Sequence, residues 1–310
     1  MTDFALGIVI RDRWDLTRQT LDSLSFCDQP RDSYDIFLID NGSSEENRGN
    51  LKNYLKSSTL PYKSIIFLPE NSISKAWNLF LALSRHYDYR VKYDNDLVLP
   101  NTISVQQEVN PGAPNPSDYG TNPGAIPSGA PRVGVGAARA AIQRRKEMKK
   151  LKSHTAFLNH MLDFATENNV HLTSLVPVSP ELTFLAMYRA VISRQWAGLP
   201  YLFGACMMIS RKCFEKIGYF HEKMDRRIDM EYSQRAVKNG MNIGYHPFYG
   251  VIHTGAHETT ESAELVKMKQ QKSIVTEKEN PIETYSNSQW ENCIESIEFE
   301  SAKHRFLTLA

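Results

Sequence analysis

The chain has 310 residues, is 41% hydrophobic and carries a formal net charge of +1. That length and apolar content can bury a full core, as one large domain or a domain with an elaboration, and the near-neutral balance excludes the bulk basic field that would demand a nucleic-acid partner. No run of about 18 apolar residues is present, so no transmembrane helix is expected; Cys27, Cys206, Cys213 and Cys293 show neither Cys-x-x-Cys spacing nor a dense framework, which implies reduced thiols and a cytoplasmic setting.

Phe4 to Ile10 is an apolar run too short for a helix. Met1 to Ile10 carries Asp3 and lacks a basic start and a cleavage site, so it reads as a strand and not as a signal peptide. Trp14 to Leu24 places Leu16, Leu21 and Leu24 at helical spacing. Tyr34 to Ile39 is β-branched and aromatic, ends in the turn sequence Asp40-Asn41-Gly42-Ser43, and leads into a polar helix from Glu45 to Lys56. Tyr62 to Leu68 reads as a strand and Ser72 to His86 as a helix whose Trp77, Leu79, Phe80 and Leu83 belong to the core. Next comes the strand from Tyr89 that carries Asp94-Asn95-Asp96. Such alternation predicts a parallel sheet with helices on both faces, whose ligands bind beyond the carboxyl ends of the strands, where Asp40 and Asp94 both fall.

From Asn101 to Ser153 the pattern breaks. Asn110 to Gly136 is dense in Pro, Gly, Ala, Asn and Ser and is expected to be a long loop. Ala137 to Lys152 is a basic helix in which Arg139, Arg144, Arg145, Lys146, Lys149, Lys150 and Lys152 face Glu147 alone. Three readings fit it: a solvated face, a site for an anionic acceptor, or contact with a membrane surface or nucleic acid. A helix at Thr155 to Glu167 and a strand at His171 to Val178 restore the alternation. The runs Tyr201 to Ile209, Arg211 to Phe220, Asp229 to Arg235, Gly240 to Tyr245 and Val251 to Gly255 follow. Beyond Glu258 the chain turns polar, with a candidate helix at Glu261 to Lys278 and an arm to Ala310. The expected organisation is a domain over 1–257 with an insertion at 101–153, and an extension over 258–310.

Two carboxylates one residue apart at a strand end can hold a divalent ion, and such an ion neutralises the diphosphate of an activated donor. Asp-x-Asp by itself is common in turns, so the neighbouring motifs matter. Ile39-Asp40-Asn41-Gly42-Ser43-Ser44, Ile73-Ser74-Lys75-Ala76-Trp77-Asn78, Asp94-Asn95-Asp96, the run Tyr201 to Ile209 with Arg211 to Phe220, Asp229-Met230-Glu231-Tyr232-Ser233-Gln234-Arg235 and Val251-Ile252-His253-Thr254-Gly255 stand in this order. Together they resemble a GT-A fold glycosyltransferase of the large family 2 type, over about residues 4 to 100 and 154 to 257. The fold so implied is an α/β class, Rossmann-like α/β/α sandwich with a mostly parallel central sheet.

The resemblance implies a strand at Tyr201 to Ile209, a helix from Arg211 to Phe220, an acidic helix start at Asp229, closing strands at Gly240 to Tyr245 and Val251 to Gly255, and a role for each motif. Asp40 would accept a hydrogen bond from N3 of a uracil ring, although Asp-Asn-Gly is also a good turn sequence. Arg11, Asp12 and Arg13 would wrap the base, Arg13 reading equally as surface charge. Lys75 and Asn78 begin the third helix, where amides and a cation favour phosphate oxygens; Ser72 stands where the family commonly has glycine. Asp96 would ligate Mn²⁺ or Mg²⁺ directly, Asp94 would reach the ribose or the ion through water, and Asn95 would join the donor contacts. His253 would complete the metal site, with His257 a weaker candidate. Asp229 would be the catalytic base with Glu231 behind it, Ile228 occupying the place of the family's first acid. The plain alternative is an amphipathic helix with acids at its amino end and Arg235 pairing one turn later.

The expectation is a metal-dependent, inverting transferase that moves a sugar from a nucleotide diphosphate donor, UDP-linked by preference, to a hydroxyl, by analogy on a glycan. Three alternatives accompany it. The acceptor can be a hydroxylated base of DNA held by the helix at 137–152. The chain can be a non-catalytic nucleotide-sugar-binding protein, as Ile228 and Ser72 suggest. A nucleotidyltransferase is the third, against which stands the absence of a Gly-rich amino-terminal loop with a lysine. The expected location is cytoplasmic, peripheral to a membrane or inside a host cell.

Overall fold

In the computed structural model, which describes residues 4–27, 29–68, 72–99, 156–178, 184–193, 195–196, 198–221, 224 and 227–254, the strand and helix alternation of the first half is present. β1 (Phe4–Ile10) is buried along its whole length, as a central strand with both faces covered must be. α1 (Trp14–Ser25), β2 (Tyr34–Asn41), α2 (Glu45–Leu55), β3 (Tyr62–Leu68), α3 (Ile73–Leu83) and β4 (Tyr89–Asp94) follow. β1 pairs in parallel with β2 and β4, and β2 with β3. The Ser44 hydroxyl caps α2 by accepting from the Asn47 N–H, with Glu45 and Glu46 in the first turn meeting the positive end of the helix dipole. α3 stops at Leu83, short of the expected His86, where the Ser84 hydroxyl donates back to the Phe80 carbonyl at 2.6 Å.

The second half contributes β5 (Leu97–Val98), α4 (Phe157–Glu167), β6 (Leu172–Val178), α5 (Phe184–Ile192), the short pair β7 (Gln195–Trp196) and β8 (Leu199–Pro200), β9 (Cys206–Ser210), α6 (Arg211–Ile217), α7 (Ile228–Lys238) and β10 (Ile243–His253). The eight-stranded sheet has the order β3-β2-β1-β4-β9-β6-β10-β5. β9 runs antiparallel to β4 and β6, and β5 antiparallel to β10, while β10 and β6 are parallel. α5 and the β7–β8 pair were not anticipated from the pattern. Residues 201–205, expected as strand, are irregular, and strand begins only at Cys206. The two closing strands are one element, β10, whose register shifts between Tyr245 and Gly250.

Side-chain alternation divides the core in two. Phe4, Leu6, Ile8 and Ile10 of β1 and Val91 and Tyr93 of β4 pack with α1, α2 and α4. Ala5 and Val9 pack on the other face with α3, α5, α6 and α7. A Cβ on Gly7 would sit 2.5 Å from the Phe80 ring, so the missing side chain lets α3 lie close against the sheet. Of the expected core residues of α3, Trp77, Leu79 and Phe80 are buried, and Leu83 is half-buried against the same cluster. The Pro/Gly-rich stretch expected as a loop, residues 137–152 expected as a basic helix, His257 and the extension at 258–310 lie outside the described residues.

Candidate active site

The carboxyl ends of β2, β4 and β10 share one edge of the sheet, and β9, running the other way, brings residues 201–205 to the same edge. The Asp94 N–H donates to the Ala205 carbonyl at 2.9 Å. Asp40, Asp94, Asp96 and His253 therefore converge from separate parts of the chain.

Asp96 lies in the turn between β4 and β5 and is 6% exposed. Its backbone carbonyl accepts from both the N–H and the hydroxyl of Thr254, each at 2.9 Å, which ties the turn to the end of β10. Arg13 Nη1 stands 3.3 Å from Oδ2, and His253 Nε2 stands 3.2 Å from Oδ1. Oδ1 is buried, and His253 is the group that faces it. Burial alone raises the Asp96 pKa, but the close His253, Arg13 and Lys92 outweigh it and hold the carboxyl below its usual range. Burial disfavours the His253 cation, yet Asp96 and Asp94 more than compensate and raise its pKa. A buried carboxylate held below its usual range, with an imidazole nitrogen 3.2 Å from its Oδ1, is an oxygen and nitrogen pair of the kind Mn²⁺ or Mg²⁺ accepts once the imidazole is neutral.

Asp94 is occupied differently. Its Oδ1 accepts from Lys92 Nζ, and burial, opposed by Lys92, raises its pKa. Among the described residues no group of three His, Cys, Asp or Glu side chains is arranged around a common metal position. Asp96 and His253 are the pair that would hold an ion, with Asp94 held beside them by Lys92. Asn95 Nδ2 donates to Thr17 Oγ1 at 2.9 Å, which locks the turn to α1.

The loop after β1 is held to the loop after β2. Asp12 and Arg13 both have positive φ, at 49° and 54°, a conformation that costs energy for residues with a Cβ. It is sustained by the Asp12 carboxylate, which accepts from Ser44 N at 2.8 Å and Asn47 Nδ2 at 3.1 Å, and by the Asp12 N–H, which donates to Ser43 Oγ at 2.8 Å. The twist turns Arg13 toward Asp96, whereas Arg11 is exposed. Asp40 is buried at 1% exposure. Its Oδ1 accepts from Ser43 N at 3.2 Å and Arg48 Nε at 2.8 Å, and Arg48 also donates to the Leu68 carbonyl at 2.6 Å. Lys75 is exposed. Asn78 is engaged elsewhere, since its Nδ2 donates to the Phe220 carbonyl at 2.8 Å and its Oδ1 accepts the Phe220 N–H at 2.7 Å. With both ends of its amide committed, it clamps α3 to the segment after α6 and belongs to the framework.

Asp229 and Glu231, two residues apart at the start of α7, have separate environments. Glu231 is buried and pairs in a fork with Arg235, at 2.7 and 2.8 Å. Arg235 also donates to the carbonyls of Ile217 and of Tyr219. Glu231 is therefore the anchor of a structural ion pair, the arrangement that the plain helix reading foresees. Asp229 is half-buried, and its Oδ2 accepts the Gly204 N–H at 2.7 Å while its Oδ1 carries no hydrogen bond among the described residues. A Cβ on Gly204 would fall 2.6 Å from the Asp229 Cβ, so this approach requires glycine. The Gly204 carbonyl in turn accepts from Lys92 Nζ at 2.5 Å. Asp94 and Asp229 are thus joined through Lys92 and one glycine.

No protein-family model and no curated protein sequence matches the chain. Solved structures do match it in fold. A mannosyltransferase from Pyrobaculum calidifontis, PcManGT, in complex with GDP-Man and Mn²⁺, superposes with a TM-score of 0.51 at 15% identity, over 83% of this chain and 58% of that one. S. aureus TarS 1-349 superposes with a TM-score of 0.52 at 12% identity, over 82% and 60%. The same protein in complex with UDP-GlcNAc gives 0.51 at 10% identity, over 96% and 72%. The chain spans about three-fifths of the length of the first two, at 58% and 60%. At these identities the likeness is one of fold, and the fold is the GT-A arrangement that the ordered motifs resemble.

Proposed function

We propose that this protein is a metal-dependent, inverting glycosyltransferase that takes its sugar from a nucleotide diphosphate donor, a UDP-sugar by preference. The observation that carries the reading is the convergence at one sheet edge of Asp96 and His253, whose side chains meet at 3.2 Å, and of Asp229 through Lys92 and Gly204. The solved structures of like fold, one with GDP-Man and Mn²⁺ and one with UDP-GlcNAc, support it.

Asp96 and His253 would hold the divalent cation, which when bound supplies charge neutralisation for the leaving diphosphate. Asp40, oriented by Arg48, accepts a hydrogen bond from the base of the nucleotide. Arg13 lies within reach of the same diphosphate, with its guanidinium already at Asp96. Asp229 acts as general base through Oδ1, with Oδ2 held by the Gly204 amide. The acceptor oxygen forms a bond to the anomeric carbon as the bond from that carbon to the diphosphate oxygen breaks. Its proton passes to Asp229, and the nucleoside diphosphate leaves with the electron pair. Attack from the side opposite the leaving group inverts the anomeric centre. A glycan hydroxyl is the proposed acceptor.

A thermal-shift screen over nucleotides and sugar nucleotides, each with and without Mn²⁺, tests the donor. A ligand at a thousand times its Kd stabilises the native state by about 4 kcal/mol. A rise in Tm for UDP or a UDP-sugar that requires the cation supports the reading; no nucleotide-dependent rise under any condition refutes it.

A further inference from the structure

Lys92 sits in the middle of β4, paired across β9 with Met207, and its side chain is buried. A buried ammonium is costly unless all three of its N–H groups are met. Here one meets Asp94 Oδ1, a second meets the Gly204 carbonyl at 2.5 Å, and the cation stands 4.4 Å from the centroid of the Trp77 ring. Stability does not explain this choice, because replacing a buried ion pair by apolar groups of similar volume is often neutral or stabilising. The residues joined by Lys92 are the informative ones. On one side is the acid at the end of β4, and on the other is the glycine whose amide holds Asp229 Oδ2.

We propose that Lys92 is a positioning residue that couples the donor-side carboxylate strand to the catalytic base. It grips the peptide after Gly204, and thereby fixes the peptide before it, whose N–H aims the Asp229 carboxylate at the acceptor. The Cβ-free Gly204 lets Asp229 approach closely, and Lys92 keeps that unhindered backbone in one conformation. The proposal rests on the reading of Asp229 as the base.

The test compares Lys92→Met, Lys92→Arg, Asp229→Asn and the double variant Lys92→Met/Asp229→Asn in the full chain. The first readout is the Gly204 amide signal in ¹⁵N-glycine-labelled protein without ligand; the second is kcat for UDP release from a UDP-sugar with Mn²⁺. K92M is expected to move the Gly204 amide proton upfield, toward its position in D229N, and K92R to keep it near the wild-type position. K92M is expected to lower kcat by roughly 10- to 100-fold, the range for a displaced catalytic group. In the D229N background it costs no more than about 2-fold further, because groups that act as a unit are not additive. If K92M does not fold, Lys92→Gln takes its place in every arm. An unmoved Gly204 signal in K92M, or losses that multiply in the double variant, overturns the proposal. D229N with wild-type kcat overturns the assignment of the base alone, and the Gly204 signal still judges whether Lys92 holds that glycine.

Discussion

Glu231 and Asp229 share a helix turn, and the structure predicts that their neutral amides behave in opposite ways. Glu231→Gln leaves Arg235, buried at 5% exposure, with one side-chain acceptor where there were two, beside the Ile217 and Tyr219 carbonyls, and with its charge uncompensated. Breaking a buried pair from one side costs about 3–5 kcal/mol, of which the surviving hydrogen bond offsets about 1, leaving about 2–4 kcal/mol. For a domain of this size each kcal/mol moves Tm by about 2–4 °C, so E231Q should melt roughly 4–16 °C lower. Its kcat, measured well below that temperature, should stay within about 2-fold of wild type, since Glu231 touches no reacting atom in this account. Asp229→Asn keeps an acceptor for the Gly204 amide and removes the base. Its Tm should stay close to wild type while kcat falls by about 10²–10⁴. Calorimetry paired with a UDP-release assay reads both variants. If E231Q loses activity as D229N does and melts normally, the two acids have been assigned the wrong way round.

Acid stability carries a second signature. His246, buried beside Phe164 and Tyr249, accepts the Tyr249 N–H through Nδ1, and burial pushes its pKa down to about 3. The unfolded chain takes up this proton near pH 6.5 and the folded chain does not, so stability is fully present above pH 6.5. It falls by about 1.4 kcal/mol per pH unit on the way down to about pH 3. Denaturant melts between pH 7 and 4 should show this slope, and His246→Asn should remove its share; an unchanged slope in that variant contradicts the assignment. Gly204→Ala forces a Cβ against Asp229, so kcat should drop at least 10-fold with a stability cost of about 1–3 kcal/mol; wild-type kcat would show that the close approach is dispensable. Asp40→Asn should weaken UDP binding by about 1.5–3 kcal/mol in calorimetry, the value of a hydrogen bond to a charged group, and equal affinity would remove Asp40 from the base site.

The first half of the fold was legible because each strand is a short apolar run closed by a turn sequence and each helix carries a periodic stripe. Asp40, Asp96 and Asp229 could be put forward as candidates because they are carboxylates at element ends within the motifs that carry the resemblance. What escaped depended on tertiary partners. Asn78 looked like a helix-start ligand until Phe220, far along the chain, took both ends of its amide. Arg235 stands four residues after Glu231, which permits their pairing, but the carbonyls of Ile217 and Tyr219 are what place that pair in the interior. Residues 201–205 are apolar enough for a strand, yet this stretch bends to present Gly204 to Asp229. Tyr-Arg-Val-Lys-Tyr alternates like a half-exposed strand, so the pattern by itself does not single out Lys92. A signal was available: a strand expected in the middle of a sheet covered on both faces has no solvent side, so a lysine there must be buried and partnered.

Metal-dependent turnover of the donor is the most direct test of the central claim. UDP release from a UDP-sugar should be measured against Mn²⁺ concentration for the wild-type chain and Asp96→Ala. Saturable, Mn²⁺-dependent release that is lost in D96A, in a variant that still melts cooperatively, is the predicted result. Release that is indifferent to the cation, or that survives unchanged without the Asp96 carboxylate, contradicts the account.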